Sequence, residues 1–393
     1  MSAPCRSEPL VIFYISGHGF GHASRDVEVI NSLAGIAPDV QVAVRTAAPR
    51  WLFDLTLTRD VDFSTLECDT GVVQLDSLSL DEAETMRRAE AFHADLDAKA
   101  NAEAEWLRAT GARLVVADIP PFPCLAAHRA DVPVIALGNF TWDWIYEGYG
   151  DWMPEGSTLL PRLRDAYSHA RRAIRLPMHG GFDSVANIVD LPFIARRSQR
   201  EPADTRRRLG LPEGPLALLS FGGYGLQRID LRTVAGLHDY TIVLTADVTA
   251  SRRGDDDGRR GSQASLPDNV RLLDEHKLYD DGFRYEDLVA AVDVVMTKPG
   301  YGIIAECVAN DTALVYTSRG HFVEYDVLVR EMPRWLRCEF ISNDDLLAGR
   351  WQAALDAVLS RPGPPEQIGV DGAERAAAII AREHARSSSP VAR

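Results

Sequence analysis

The chain has little of what extracellular or membrane-spanning proteins need. Its five cysteines are scattered over 393 residues and form no Cys-x-x-Cys pair, so neither a disulfide framework nor a structural zinc site is expected. No apolar run approaches the roughly 18 residues of a membrane span, and the start, Met1 to Pro9, has no apolar signal core. These absences predict a cytoplasmic protein with no membrane span.

Positive charge is also scarce. The chain has 42 lysines and arginines against 57 aspartates and glutamates, which gives a formal net charge of −15. Such a balance argues against nucleic acid or an anionic membrane as a partner. A small anionic ligand would need a local positive site.

Two kinds of ligand motif are missing or weak. There is no Gly-x-x-x-x-Gly-Lys-Ser/Thr phosphate loop. The Asp-x-Asp pattern of metal-dependent transferases occurs at 60–62, 95–97 and 255–257, where solvated carboxylates explain it better. We therefore expect no metal ion and no other cofactor.

What the chain does have is an alternation of short apolar runs with helical patterns, at a length that favours two domains. Such runs are typical of parallel strands buried on both faces, so the fold class is α/β with two Rossmann-like domains that face each other across a cleft. We place a first domain at 1–195, a polar linker at 196–205, a second domain at 206–365, a helix that packs back on the first domain at 366–386, and a flexible tail at 387–393. The runs interpreted as strands are Leu10 to Ile15, Val40 to Arg45, Leu114 to Ala117, Val132 to Leu137, Leu216 to Phe221, Thr241 to Thr245, Val270 to Leu273, Val292 to Thr297 and Ala313 to Thr317.

The first run leads into a turn with three glycines and two histidines, Gly17-His18-Gly19-Phe20-Gly21-His22. Glycines let the backbone turn tightly and approach a ligand, and imidazole is suited to proton transfer near neutral pH. The alternative is a strand-to-helix turn whose histidines hydrogen-bond locally.

A carboxylate that orients the histidine would make it a better base, and Asp118 is the candidate. It follows the run Leu114 to Ala117, so it should emerge at the same edge of a parallel sheet as the histidine turn. The alternative role for Asp118 is a helix cap.

The second half contains a strand-to-helix turn that suits a diphosphate, formed by Lys298, Gly300, Tyr301 and Gly302. Free N–H groups at the helix start and the lysine charge would bind phosphate oxygens, and Glu306, one turn into the helix, would accept hydrogen bonds from ribose. Another glycine turn, at Gly222 and Gly223, follows the first strand of this half. Either turn alone is as often a simple connection between a strand and a helix that binds no ligand.

Two further sets of residues are candidates for contact with ligands. The segment from Asn139 to Tyr146 is rich in aromatic side chains, including Trp142 and Trp144, which would stack on a sugar or lipid acceptor but are also typical of a core. His321 follows a later strand and would reach polar ligand groups, with a plain surface position as the alternative.

Together these motifs resemble the GT-B nucleotide-sugar glycosyltransferases, and most closely the glycosyltransferase-like N-terminal region of plant L-arabinokinases. The resemblance is carried by Gly17 to Arg25, Val73-Gln74, Val116 to Asp118, Asn139 to Tyr146, Phe221 to Gly223, and Gly300 through Glu306.

The resemblance implies an inverting, metal-independent transferase. In it His22, assisted by Asp118, deprotonates an acceptor hydroxyl, and Gly300, Tyr301 and Glu306 hold the donor, with Lys298 where the family often has histidine. The acidic residue and glutamine that grip the donor sugar in that family are not reproduced, because Gly320-His321 stand there. The expected partners are a nucleotide diphosphate sugar, with UDP as the carrier, and a small-molecule or lipid-linked acceptor. A non-catalytic nucleotide-sugar-binding module and a sugar-nucleotide epimerase are the alternatives.

Overall fold

A computed structural model of the chain describes residues 10–221, 229, 232–246 and 266–388. By its contacts the chain divides into two compact units. The first unit comprises residues 10–74, Leu80–Ala195 and 368–388, and the second unit comprises Leu75–Ser79 and the described part of Arg196–Gln367.

The first unit is built on a parallel sheet of seven strands among the described residues, in the order β3-β2-β1-β6-β7-β8-β9. Its strands are β1 (Leu10–Ile15), β2 (Gln41–Thr46), β3 (Asp62–Thr65), β6 (Ala112–Asp118), β7 (Val134–Phe140), β8 (Arg172–Gly180) and β9 (Ile188–Asp190). A separate antiparallel hairpin consists of β4 (Val73–Gln74) and β5 (Leu80–Asp81).

Helices cover the first sheet because its central strands are apolar on both faces; all six residues of β1 are buried. The helices of this unit are α1 (Phe20–Ile36), α2 (Arg50–Asp54), α3 (Glu82–His93), α4 (Leu96–Thr110), α5 (Phe122–Arg129), α6 (Trp142–Glu147), α7 (Leu159–Ser168) and α15 (Gly372–Ser388). The last of these contributes Ala376, Ala377 and Ile380 to the same core as Val27 and Ile30 of α1. The C-terminal helix is thus part of the first unit.

The second unit repeats the scheme with a parallel sheet of six strands among the described residues, in the order β12-β11-β10-β13-β14-β15. The strands are β10 (Leu216–Leu219), β11 (Thr241–Ala246), β12 (Val270–Asp274), β13 (Val294–Thr297), β14 (Ala313–Tyr316) and β15 (Cys338–Phe340). The helices are α8 (Pro202–Arg208), α9 (Glu275–Asp280), α10 (Tyr285–Ala291), α11 (Tyr301–Asn310), α12 (Tyr325–Glu331), α13 (Asn343–Leu347) and α14 (Gln352–Ser360).

The nine strands predicted from apolar runs are all present, with ends that differ by one or a few residues. The apolar spacing from Glu84 to Thr110 predicts one helix, but the structure has two, because α3 ends at His93 and α4 begins at Leu96. The expected linker at 196–205 is structured: Arg196 pairs with Glu306, and α8 begins at Pro202. Leu75–Ser79 belongs to the second unit, which no pattern in the sequence indicates.

Candidate active site

The histidine turn and Asp118 meet at the carboxyl edge of the first sheet. Strands β1 and β6 are parallel neighbours, with Ile15 opposite Asp118, so both chains leave the sheet at the same edge. Gly19 has φ of +78°, a conformation that favours glycine, and α1 begins at the next residue. This places His22 in the first turn of α1, with its Nδ1 2.8 Å from Asp118 Oδ1.

Arg25 completes this cluster from the next turn of α1. Its Nε and Nη2 donate to the two carboxylate oxygens of Asp118 at 2.8 and 2.5 Å, and its Nη1 donates to Asn139 Oδ1. Burial raises the pKa of Asp118, but the charges of Arg25 and His22 and their hydrogen bonds outweigh burial and bring it to about 2. Asp118 is therefore ionised at neutral pH. Sequence reasoning missed Arg25, although its spacing of three residues from His22 in the predicted helix could have placed both on one helix face.

A second buried acid, Asp69, lies near His22. It accepts hydrogen bonds from Ser16 Oγ at 3.0 Å and from Trp142 Nε1 at 2.8 Å. Burial raises its pKa to about 6, although Ser16, the charge of His22 and Trp142 act in the opposite direction. No sequence pattern marks Asp69, because only the tertiary structure brings the segment after β3 beside β1.

A third acid, Asp26, is fully buried on α1 beside Asp118. Burial and the charge of Asp118 raise its pKa well above the usual value. Neither of its carboxylate oxygens accepts a hydrogen bond from a described donor, whereas its protonated form can donate one to Asp118. Burial and this neighbour therefore favour the neutral form of Asp26.

His18 forms part of a wall beside this cluster. Its ring meets the Trp142 ring edge-on, with centroids 5.9 Å apart, and its Nε2 lies 3.4 Å from Gln74 Nε2. A Cβ on Gly71 would overlap the His18 ring, so only glycine fits there. Trp142 is buried against Phe140 and Tyr146, whereas Trp144 packs on the backbone of Gly180. The structure thus joins His18, Asn139 and Trp142 to the His22 region and places Trp144 against a different strand.

In the second unit, Lys298 and the start of α11 follow β13. Gly300 is the N-cap of α11 and has no side-chain cap, so the first N–H groups of the helix lack that partner. Burial, and after it the nearby charge of Arg319, lower the pKa of Lys298 to about 7, while Glu324 and Asp76 act in the opposite direction. Arg319 is 9% exposed and pairs with Glu324 at 3.2 Å.

Lys298 and Arg319 bring two cationic groups to the start of α11, with Glu324 and Asp76 nearby, and such groups can bind phosphate oxygens. This edge of the second sheet therefore suits a diphosphate. Sequence reasoning named Lys298 and missed Arg319, because the loop after β14 has no recognisable phosphate pattern.

Glu306 lies one turn into α11 but faces Arg196. Both Nε and Nη2 of Arg196 contact Glu306 Oε1, the former at 2.7 Å, and Glu286 lies 3.8 Å from Arg196. Burial raises the pKa of Glu306, and the charge of Arg196 lowers it. A ribose contact by Glu306 stays a prediction, since this ion pair already occupies one of its oxygens.

The remaining predicted residues are distributed as follows. His321 is exposed in the loop between β14 and α12. Gly222 and Gly223 lie outside the described residues, as does the 255–257 segment. Among the described residues no group of three or more His, Cys, Asp or Glu side chains is arranged to hold a metal ion, and none of the helices there has the length and hydropathy to cross a membrane.

Solved structures with known activities share this architecture. The calicheamicin glycosyltransferase CalG4 aligns over 99% of this chain and 100% of its own at a TM-score of 0.62 and 15% identity. A UDP-glucosyltransferase from Polygonum tinctorium aligns over 97% of this chain and 99% of its own at a TM-score of 0.56 and 14% identity. The chain thus has the GT-B fold, as expected from its sequence.

The sequence itself is similar to L-arabinokinase from Arabidopsis thaliana, with 30% identity over 384 residues, or 94% of this chain. The chain spans about a third, 34%, of the length of that protein. No family model matches the chain.

Proposed function

We propose that the chain transfers a sugar from a nucleotide diphosphate sugar to an acceptor hydroxyl, with inversion and without a metal ion. The observation that carries the proposal is the contact of 2.8 Å between His22 and Asp118 at the carboxyl edge of the first sheet. Lys298 and Arg319 at the corresponding edge of the second sheet, together with the GT-B fold, support it.

His22 is the proposed general base. Its Nδ1 lies 2.8 Å from an Asp118 oxygen and 3.1 Å from Arg25 Nη2. The shorter contact, to an ionised carboxylate, favours a proton on Nδ1 and leaves Nε2 to accept the acceptor's proton. Asp118 then stabilises the imidazolium, as carboxylates do beside other catalytic histidines.

The rest of the step needs a site for the leaving diphosphate. As the acceptor oxygen bonds to the anomeric carbon, the sugar–phosphate bond breaks and its electron pair stays on the diphosphate. Lys298, Arg319 and the first N–H groups of α11 would stabilise that charge. A single displacement of this kind inverts the anomeric centre.

Similarity to a solved structure with bound UDP favours a uridine carrier. That structure is UGT89C1 of Arabidopsis thaliana complexed with UDP, aligned over 96% of this chain at a TM-score of 0.53 and 13% identity. UDP is therefore the first nucleotide to test, and a thymidine carrier is the natural comparison.

The test is transfer by the purified chain from a panel of UDP- and dTDP-linked sugars to a broad set of hydroxyl acceptors. His22→Ala should lower the transfer rate by about a hundredfold or more because the general base is lost. His128→Ala is the matched control, since His128 is exposed and stacks on His169 with ring centroids 3.9 Å apart. An unchanged rate for His22→Ala would remove His22 from the mechanism.

The same panel tests an epimerase, which a likeness to a UDP-N-acetylglucosamine 2-epimerase from Listeria monocytogenes supports at the level of fold, with a TM-score of 0.54 and 11% identity. Conversion of the nucleotide sugar without any acceptor would identify that reaction. Tight nucleotide-sugar binding with neither reaction would identify a binding module.

A further inference from the structure

The turn Leu75–Ser79, between β4 and β5, is an ordered part of the second unit although it lies early in the sequence. Leu75 N donates to Ser79 O at 3.0 Å. Asp76 Oδ1 accepts hydrogen bonds from Leu78 N at 2.7 Å and Ser79 N at 2.9 Å. Because the side chain of Asp76 closes the turn, its carboxylate has a fixed position.

Two contacts fix the turn on the second sheet. The buried Ser77 Oγ donates to the carbonyl oxygen of Phe221 at 2.9 Å. Leu78 O lies so near Gly320 that a Cβ there would come within 3.1 Å of it, and the Leu78 side chain packs against the core of the unit. Phe221 follows β10 and Gly320 follows β14, the two neighbours of β13. The turn therefore crosses the carboxyl end of β13, where Lys298 lies.

The charge at this place restricts what can bind beside Asp76. Arg319 already has Glu324 as its partner at 3.2 Å. A second carboxylate beside Lys298 would repel a diphosphate, so Asp76 is poorly suited to contact phosphate oxygens. It is well suited to a neutral group rich in hydroxyls, because a carboxylate accepts hydrogen bonds from adjacent O–H donors. In a nucleotide sugar, such a group is attached directly to the diphosphate.

We infer that Asp76 binds hydroxyl groups of the donor sugar, and that the turn Leu75–Ser79 lets the second unit distinguish a nucleotide sugar from the free nucleoside diphosphate. The inference rests on the proposed function, because it takes a nucleotide sugar as the ligand. It assigns a sugar-recognition role to a segment that no sequence motif marks.

The test compares dissociation constants for UDP and for UDP-glucose, UDP-galactose, UDP-xylose and UDP-glucuronate, measured by calorimetry. Asp76→Asn removes the charge but keeps an oxygen that can accept from Leu78 N and Ser79 N. It should weaken the preferred sugar conjugate by about tenfold or more, and leave UDP affinity unchanged or stronger. Asp326→Asn, an exposed acid on α12, is the matched control and should change neither constant.

A second variant, Asp76→Ser, also keeps an acceptor oxygen. It shows whether an effect of Asp76→Asn comes from a change in the structure of the turn that asparagine alone causes. The same selective loss in both variants supports the inference. Equal weakening of UDP and its sugar conjugates, no change in either, or equal affinity of the unaltered chain for UDP and all four conjugates would each overturn it. Failure of the unaltered chain to bind any nucleotide or conjugate would instead overturn the proposed function.

Discussion

The two sheets end in turns of similar construction but with differently arranged charges. Each has a central strand, β1 or β13, followed by a glycine-containing turn and a helix, α1 or α11. In the first unit the charges near His22 are matched, because Nε and Nη2 of Arg25 both donate to the carboxylate of Asp118. In the second unit Lys298 and Arg319 lie near each other with Glu324 and Asp76 close by, and burial is the largest cause that lowers the pKa of Lys298 to about 7. The difference indicates that the charge of the first edge is set by its own ion pair, whereas the charge of the second edge changes near neutral pH.

The largest expected effect comes from the matched edge. Asp118→Asn leaves Arg25 without its counter-charge, so the free energy of unfolding should fall by about 3 kcal/mol, and sugar transfer should fall by a hundredfold or more. Urea unfolding at pH 7 and initial transfer rates are the measurements. Asp165→Asn, whose carboxylate is 69% exposed, is the control and should change neither.

The pH dependence of this contribution has a definite sign. The pKa of Asp118 is about 2 in the folded chain and about 3.9 in an unfolded one. Its stabilisation is therefore present above about pH 4 and lost as the pH falls toward 2. If Asp118→Asn were as stable as the unaltered chain at pH 7, the ion pair of Arg25 with Asp118 would not stabilise the first unit.

The next effect comes from the cationic edge. Lys298→Met should weaken UDP binding by about tenfold at pH 7, because a phosphate-facing charge is lost. The unfolding free energy should stay the same or rise, because an amine that is costly to bury is replaced by an apolar side chain. Calorimetry and urea unfolding on the same preparation measure both.

The pH dependence of UDP binding tests the role of Lys298 more directly. With a pKa of about 7 the Lys298 amine is mostly neutral at pH 8, and a bound diphosphate favours the ammonium form. UDP binding should therefore take up protons and weaken from pH 7 to pH 9, which calorimetry in two buffers of different ionisation enthalpy detects. Proton uptake that persists in Lys298→Met would contradict the assignment.

The smallest effect tests the neutral acid beside the first edge. The raised pKa of Asp26 means that its protonated form stabilises the fold at low pH and that this stability is lost as the pH rises. Asp26→Asn should remove that loss, so its stability relative to the unaltered chain should rise on going from pH 5 to pH 8. Urea unfolding at both values measures it, with the exposed Asp39→Asn as control. Parallel pH profiles for Asp26→Asn and the unaltered chain would show that Asp26 does not titrate as its burial suggests.

Much of the framework was predictable because it is local. The strands β1, β6 and β13 are continuous apolar runs, and their parallel arrangement follows from the helices between them. The meeting of His22 with Asp118 was predictable too, since both follow central strands at one sheet edge. The break between α3 and α4 was not, because Ala94 and Asp95 carry no strong helix-ending signal.

The sequence by itself determined the two α/β units and the residue types at the ends of their strands, since periodicity and glycine positions act over a few neighbouring residues. Only the tertiary structure decided that Arg25 would neutralise Asp118, that Arg196 would engage Glu306, and that Asp76 would come to lie near Lys298. These pairings depend on which loops meet and on how much water burial removes around each charge. Neither quantity can be read from spacing along the chain.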